Sequence, residues 1–131
     1  MSDAETFVPT PSDARLEPGC LFCRISRGEI PAAIVYSDET VIAFDDISPQ
    51  APVHTLVIPR EHFEHLGDDV PAAVASALLS AAARIARIKG IDGSGYRVIV
   101  NNGPDARQSV PHLHVHVVGG APMSHGMVEL D

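Results

Sequence analysis

Positive charge and long uncharged runs are both scarce in this sequence. Nine lysines and arginines stand against 17 aspartates and glutamates, which gives a net charge of −8. Proteins that neutralise a phosphate backbone usually carry a basic surface, so nucleic acid is not an expected main partner. A small anionic substrate stays possible, because a few local donors can outweigh a distant net charge.

No segment predicts a membrane anchor or a secretory signal. The longest run without charged residues or histidine, Val70–Ala83, has 14 residues and is rich in alanine, which is too short to span a bilayer and favours a buried helix. The opening MSDAETF is acidic and lacks the hydrophobic centre of a signal peptide. We therefore expect a cytoplasmic protein, in which the two cysteines are thiols or metal ligands rather than a disulfide.

The chain of 131 residues is long enough for one domain with a hydrophobic core. Residues 1–18, rich in Pro, Ser, Thr, Asp and Glu, predict a mobile arm, and residues 19–131 predict the folded domain. Short apolar runs predict a helical turn over residues 20–27 and the strands Ile34–Tyr36, Thr40–Phe44, His54–Ile58, Tyr96–Val100 and His112–Val118.

One long amphipathic helix is predicted between the strands His54–Ile58 and Tyr96–Val100. Its apolar side chains recur at steps of three and four residues, at Val74, Leu78, Ala81, Ile85 and Ile88. Asp69 could cap the start of this helix, with Pro71 in its first turn, and Gly90 could cap its end. Strands in hairpins together with one long helix predict an α+β fold with an antiparallel sheet.

The most unusual stretch is HLHVH, residues 112–116. Alternate side chains of a strand share a face, so the three histidines point one way, while Leu113, Val115 and Val117 can pack under the helix. We expect the histidines to line an open surface. Neutral imidazole can act as nucleophile, proton carrier or metal ligand, and the pattern alone does not choose among these roles.

Other residues could complete a site around the histidines. Asn101, Gln108 and Ser109 offer amide and hydroxyl donors for an anion, although they could equally be ordinary turn residues. Asp46 could accept ribose hydroxyls or simply form a turn, and His54 could face the same pocket or solvent. The Cys20-x-x-Cys23 pair is half of a zinc site, which His62 and one strand histidine could complete.

These pieces occur together, and the set is specific. The segments CLFCRISRGEIPA, AFDDISPQAPVHTLVIPREH and GYRVIVNNG, followed by QSVPHLHVHVVGG, resemble the signature blocks of the histidine-triad (HIT) family, in its zinc-containing bacterial Hint-like branch. The resemblance extends from about Cys20 to Gly120. It implies a HIT-like fold with a five-stranded antiparallel sheet, one long helix and a short N-terminal helix, assembled as a homodimer.

The resemblance also implies an activity, which is hydrolysis of purine nucleoside phosphoramidates with release of AMP. His114 matches the family nucleophile, His116 and His54 match phosphate contacts, and Ser109 matches the residue beside the scissile bond. Gln108 and Asn101 match further phosphate-side contacts, and Asp46 matches the ribose carboxylate. The remaining matches are the pocket walls Leu21, Phe22, Ile25, Phe44 and Ile47, and the structural zinc ligands Cys20, Cys23, His62 and His112.

Two departures leave specificity open. Arg107 stands where the family usually has glycine, and the ending APMSHGMVELD differs from the animal Hint proteins; the role of His125 within it is open. A dinucleoside polyphosphate hydrolase is a rival interpretation. A nucleotide-binding or partner-binding protein with incidental turnover is another.

Overall fold

The structure is a computed structural model, and it describes residues 7–11 and 14–125. In these ranges two helices and five strands follow one another along the chain. They are α1 (Leu21–Ser26), β1 (Ile34–Ser37), β2 (Val41–Asp45), β3 (Val53–Pro59), α2 (Ala72–Ile88), β4 (Tyr96–Val100) and β5 (Val115–Gly119).

The strands form one antiparallel sheet in the order β1-β2-β3-β5-β4, which confirms the predicted α+β fold. The first hairpin turns at Asp38, between the strands that the sequence predicted over Ile34–Tyr36 and Thr40–Phe44. The Asp38 Oδ1 atom accepts hydrogen bonds from the backbone N–H groups of Thr40 and Val41, at 2.8 and 2.9 Å. An aspartate that bonds its own backbone in this way is a common turn former.

Alternation along the strands gives the sheet two different faces. One face, with Val41 and Val57 among its residues, packs under α2, as do Leu113, Val115 and Val117 in agreement with prediction. The opposite face, with Ile42 and Leu56, packs against α1. The candidate site therefore lies on the α1 face, and α2 supports the sheet from behind.

The ends of α2 differ from the prediction. The helix begins at Ala72, its N-cap is Pro71, and no side chain bonds the cap, so the predicted cap at Asp69 is wrong. Asp69 instead takes a left-handed backbone conformation (φ 47°), which ends the preceding turn. At the other end the C-cap is Lys89, and Gly90 follows it with a φ of 73°, a conformation that favours glycine.

His112 and His114 do not line an open surface, so this part of the prediction is wrong for these two histidines. Strand β5 begins at Val115, and His112 and His114 precede it with exposed fractions of only 0% and 3%. Helix α1 covers them, because the Phe22 ring lies 5.8 Å from the His112 ring and 5.2 Å from the His114 ring.

The described part of the N-terminal region lies against the domain. The Thr10 N–H donates to the Ser26 carbonyl at 2.8 Å, and Arg60 Nη1 donates to the Val8 carbonyl at 2.6 Å. Residues 1–6 and 12–13 lie outside the described ranges, so the mobile arm over residues 1–18 stays a prediction. Across residues 7–11 and 14–125, no helix is long and apolar enough to cross a membrane.

Candidate active site and metal centre

A largely apolar cavity of about 330 Å³ opens between α1 and the sheet. This volume is near the lower end of the range for small-molecule sites. The five side chains predicted as pocket walls all line it: Leu21, Phe22, Ile25, Phe44 and Ile47. The polar side chains of Asp46, Ser109, His114 and His116 line it as well. The structure therefore brings together most of the predicted nucleotide-side residues.

His114 presents one ring nitrogen with a free lone pair. Its Nδ1 lies 2.7 Å from the carbonyl oxygen of His112. A carbonyl only accepts, so the neutral ring carries its proton on Nδ1 and leaves Nε2 unprotonated. Burial lowers the pKa of His114 from its usual value, against the opposing effects of the His112 carbonyl and of Asp46. The neutral nucleophilic form is therefore favoured near neutral pH.

His116 lies beside His114, with ring centroids 5.1 Å apart. Its Nδ1 is 2.8 Å from His54 Nε2, while its Nε2 is buried and has no hydrogen-bond partner among the residues that the structure describes. Burial, assisted by His114 and His54, lowers the pKa of His116 to about 4. His54 does not line the cavity, so it reaches a bound molecule only through His116.

Asp46, His54 and His116 also lie close enough to share a metal ion, with one ligand atom of each within 4.8 Å of the others. The surroundings of His54 argue against this use. A histidine that binds a metal normally donates its other N–H to an acceptor, but His54 Nδ1 faces a donor, the backbone N–H of Gln50, at 3.0 Å. The geometry favours a hydrogen-bonded group over a metal site.

A second cluster joins Cys20, Cys23, His62 and His112, the four predicted zinc ligands, with their ligand atoms within 4.8 Å of one another. Cys23 Sγ lies 3.3 Å from His62 Nδ1 and 3.5 Å from His112 Nδ1. Tetrahedral bonds of about 2.3 Å to sulfur and about 2.0 Å to nitrogen would separate these atoms by roughly 3.5 Å. The spacing therefore fits one tetrahedral ion.

The atoms around this cluster also suit a metal. His112 Nε2 lies 3.1 Å from the Pro59 carbonyl, which leaves Nδ1 unprotonated and turned toward the two sulfurs. The backbone N–H of Glu17 donates to Cys23 Sγ at 3.4 Å. Burial raises the pKa of the Cys23 thiol to about 12. A thiolate at this position therefore needs a cation beside it.

The remaining predicted residues fall into two groups. Asp46 lines the cavity and also forms a turn, because its Oδ1 accepts from the Ser48 N–H at 2.7 Å. Asn101 and Gln108 do not line the cavity. The Gln108 amide accepts from Gly103 N–H and donates to the carbonyls of Glu64 and Val110, so it holds the turn that carries Ser109. Phosphate contacts from Asn101 and Gln108 stay predictions.

The sequence interpretation missed several apolar walls of the cavity, namely Ile30, Pro31, Ala32, Leu56 and Val110. Leu56 could have been predicted, because it shares one face of β3 with His54 and Ile58, at a spacing of two residues. The others lie on connecting segments, where no periodic signal exists. The hydrogen bond from the Gln50 backbone N–H to His54 was missed for a similar reason, because a backbone contact does not depend on the residue type.

Arg107 is exposed and takes a left-handed backbone conformation, with a φ of 58°. This conformation favours glycine over residues with a Cβ atom. It agrees with the expectation that related sequences have glycine here. His125 is exposed, and the rest of the divergent ending, residues 126–131, lies outside the described residues.

With this geometry established, comparison with known proteins is direct. The family model described as the HIT domain matches residues 27–123. A purine nucleoside phosphoramidase of Escherichia coli strain K12 is 45% identical over 106 residues, covering 79% of this chain and 88% of the relative. A 14 kDa zinc-binding protein of Zea mays is 42% identical over 117 residues, covering 79% and 84% of the two chains.

A solved structure agrees with the sequence matches. The crystal structure of a HIT family hydrolase from Legionella pneumophila superposes with a TM-score of 0.79 and 38% identity, covering 82% of this chain and 97% of the other. Family model, relatives and fold all point the same way. The chain therefore belongs to the HIT family, and it groups with the hydrolases of that family.

Proposed function

We propose that this protein is a nucleotidyl hydrolase that cleaves purine nucleoside 5′-phosphoramidates and releases the nucleoside monophosphate. One observation carries the proposal. Two neighbouring neutral histidines line the cavity. His114 Nε2 carries a free lone pair, whereas His116 Nε2 has no hydrogen-bond partner among the described residues. A nucleophile beside a hydrogen-bond donor suits attack on a phosphoryl group.

The reaction proceeds in two displacements. His114 Nε2 attacks the phosphorus and forms a phosphorus–nitrogen bond, while the bond to the leaving amine breaks and the amine takes up a proton from the Ser109 hydroxyl, which the proton released by the water of the second step restores. Ser109, which lines the cavity, is the hydroxyl proposed to assist that departure. Water then attacks the nucleotidyl-histidine, the monophosphate leaves, and His114 returns to its neutral form. One difficult step is thereby divided into two easier ones.

Charge on the phosphoryl oxygens is stabilised by a donor that is already in position. His116 supplies an N–H from Nε2, and it needs little reorganisation because the ring is held by its neighbours. His54 supports His116 from behind. A direct contact of His54 with phosphate is implied by the resemblance, but its position outside the cavity favours an indirect role.

The rest of the cavity suits a nucleoside. Phe22 and Phe44 meet edge to face with centroids 5.5 Å apart, and together with Leu21, Ile25 and Ile47 they offer an apolar slot for a purine base. Asp46 Oδ2 is proposed to accept ribose hydroxyls at the edge of this slot. The name of the Escherichia coli relative, purine nucleoside phosphoramidase, supports the choice of substrate class.

The metal centre is proposed to hold structural Zn²⁺. Cys20, Cys23, His62 and His112 form a Cys2His2 set, which is the closed tetrahedral type with no open position for catalysis. A zinc-binding name in the maize relative supports this assignment. When bound, zinc supplies cross-links between α1, the segment after β3 and the segment before β5. No step of the chemistry depends on it.

A homodimer and a cytoplasmic location are also proposed. Tyr96 and Val98 on the edge strand β4 are 36% and 37% exposed, which supports pairing of this edge with a second copy. The alanine face of α2, formed by Ala73, Ala77 and Ala81, offers less to a second copy, because Ala81 is buried in the protein's own core. Sedimentation and cell fractionation would test these two proposals.

The test of the mechanism is His114→Ala, assayed with adenosine 5′-phosphoramidate. Loss of the nucleophile is expected to lower kcat by at least about 10³-fold. Mass spectrometry of the quenched parent enzyme should detect a nucleotidyl adduct on the peptide that carries His114. The matched control is His65→Ala, which removes another histidine that does not line the cavity and is expected to retain turnover.

Two other outcomes separate the rival functions. Undiminished turnover in the His114→Ala variant would refute covalent catalysis at this residue. Faster cleavage of a dinucleoside triphosphate than of the phosphoramidate would favour a polyphosphate hydrolase. Tight binding of AMP with negligible turnover of both substrates would favour a binding protein.

A further inference from the structure

A continuous chain of hydrogen bonds connects the loop after β2 to the cavity. It begins at the backbone N–H of Gln50, which lies 3.0 Å from His54 Nδ1. It continues from His54 Nε2 to His116 Nδ1 over 2.8 Å. It ends at His116 Nε2, which is buried and has no partner within the described part of the chain.

The first member of this chain determines the position of every later proton. A backbone N–H can only donate, so His54 Nδ1 must be the acceptor and carry no proton. The neutral ring then has its proton on Nε2, which donates to His116 Nδ1. Neutral His116 in turn has its proton on Nε2, the buried atom without a described partner in a side chain that lines the cavity.

We propose that the backbone N–H of Gln50 is a positioning group of the active site, which acts through His54 to hold His116 in the tautomer that presents Nε2–H to a phosphoryl oxygen. This inference rests on the proposed function for its consequence in catalysis, although not for the tautomers themselves. His54 is accordingly a positioning residue.

The opposite tautomer would be harmful. If His54 carried its proton on Nδ1, its Nε2 would accept a hydrogen bond from His116 Nδ1–H, and His116 would turn a lone pair toward the phosphoryl oxygens. Two lone pairs would then repel each other at the position where negative charge develops. Asp46 Oδ2, 3.5 Å from His54 Nε2, is a second acceptor that supports the favourable tautomer.

Two backbone groups thus give neighbouring histidines opposite properties. The carbonyl of His112 accepts a hydrogen bond from His114 Nδ1–H, which leaves a lone pair on His114 Nε2. The N–H of Gln50 acts in the reverse sense on His54 and leaves a donor on His116 Nε2. Two histidines can therefore have different functions within one cavity, His114 as nucleophile and His116 as charge-stabilising donor.

The loop that carries the Gln50 N–H is held by its own bonds. Gln50 Nε2 donates to the Ser48 carbonyl at 3.0 Å, and the Ser48 N–H donates to Asp46 Oδ1 at 2.7 Å. The Asp46 N–H donates in turn to the His54 carbonyl at 3.0 Å. These bonds link the ribose-side carboxylate to the same loop, so substrate binding and tautomer selection share one support.

The experiment is two-bond ¹H–¹⁵N correlation NMR of the histidine rings at neutral pH, which reads the tautomer directly. In the parent protein we expect Nε2–H on His54 and His116, and Nδ1–H on His114. Gln50→Pro removes the N–H donor and is expected to populate the other tautomer of His54 and His116. Gln50→Ala keeps the N–H and the Ser48–Asp46 bond of the loop and loses only the exposed side-chain bond to the Ser48 carbonyl, so it is expected to keep the parent tautomers.

Kinetics supply the second readout. Gln50→Pro is expected to lower kcat about 10-fold with little change in KM, because the lost contact strengthens only as charge develops. A parent protein with Nδ1–H on His54 would overturn the proposal, as would unchanged tautomers in a folded Gln50→Pro variant. The NMR result stands even if phosphoramidates are not substrates, so failure of the proposed function is distinguishable.

A second pair of variants keeps the test decisive if the proline variant does not fold. His54→Gln places an amide N–H near the position of Nε2, independent of Gln50, whereas His54→Leu removes it. We expect His116 to keep Nε2–H in the glutamine variant and to mix both tautomers in the leucine variant, with kcat about 10-fold lower in the latter. Equal tautomer mixtures in both variants would overturn the proposal.

Discussion

At the scale of single residues, burial decides what the histidines can do. His112, His114 and His116 differ in exposure and in partners, although they alternate within five residues of sequence. Burial lowers the pKa of His114 and brings that of His116 to about 4. Neutral rings follow at physiological pH, and neutral rings are what a nucleophile and a tautomer-dependent donor require.

The lowered pKa of His116 predicts a loss of stability in acid. The unfolded chain takes up a proton near pH 6.5, whereas the folded protein does so only near pH 4. Between these values the unfolded state binds more protons, so the free energy of unfolding falls as pH falls. His116→Gln removes the titrating ring. The fall in the free energy of unfolding between pH 7 and 4, measured by urea unfolding at each pH, should then be about 1–3 kcal/mol smaller than in the parent protein.

The matched control replaces an exposed histidine outside the site. His125→Gln changes an exposed histidine that does not line the cavity, and it is the reference for the His116→Gln variant. An unchanged slope in the His116→Gln variant would show that burial does not hold this ring neutral. Both variants are compared at equal ionic strength, which keeps screening of other charges constant.

At the scale of elements, periodic segments were predictable and docked segments were not. Strand β4 agrees with its predicted bounds, and the apolar stripe of α2 packs on the sheet as expected. Ile88 is the exception in that stripe and is 45% exposed. The covering of His112 and His114 by α1 depends on how Phe22 docks between them and Phe44. No local pattern in the sequence reports such a tertiary contact.

Where β5 pairs with the start of β4, the structure predicts that position 119 requires glycine. A Cβ added at Gly119 would lie 2.8 Å from Ile91 Cδ1, 3.1 Å from the Gly95 carbonyl oxygen and 3.3 Å from Tyr96 Cβ. Gly119→Ala is therefore expected to cost about 1–3 kcal/mol of the free energy of unfolding through overpacking. Equilibrium urea unfolding measures the change.

Gly93→Ala is the control for this substitution. A Cβ at Gly93 meets no heavy atom within 4 Å, so the change should alter the free energy of unfolding by no more than about 0.5 kcal/mol. Equal effects of the two substitutions would contradict the close approach of Gly119 to the turn before β4.

At the scale of the whole molecule, the proposed metal centre connects segments that are distant in sequence. Cys20 and Cys23 belong to the start of α1, His62 follows β3, and His112 precedes β5. The type of metal ligand was predictable from the CxxC spacing, and the family resemblance supplied the two histidines. The contact of Phe22 with both His112 and His114 was not predictable. Through that contact, α1 joins the metal centre to the cavity.

Removal of the metal should therefore loosen the molecule as well as empty one site. An ion bound at a thousand times its Kd stabilises the folded state by about 4 kcal/mol, so a strong chelator should lower Tm by roughly 10 °C or more for a chain of this size. AMP affinity should fall as well, because α1 carries one wall of the cavity.

Elemental analysis should find one zinc per chain before chelation. His62→Gln should reproduce the chelated Tm, whereas His65→Gln, three residues away and outside the cluster, should keep the parent value. A purified protein without zinc, whose Tm does not respond to added zinc or to chelator, would contradict a structural role for this centre.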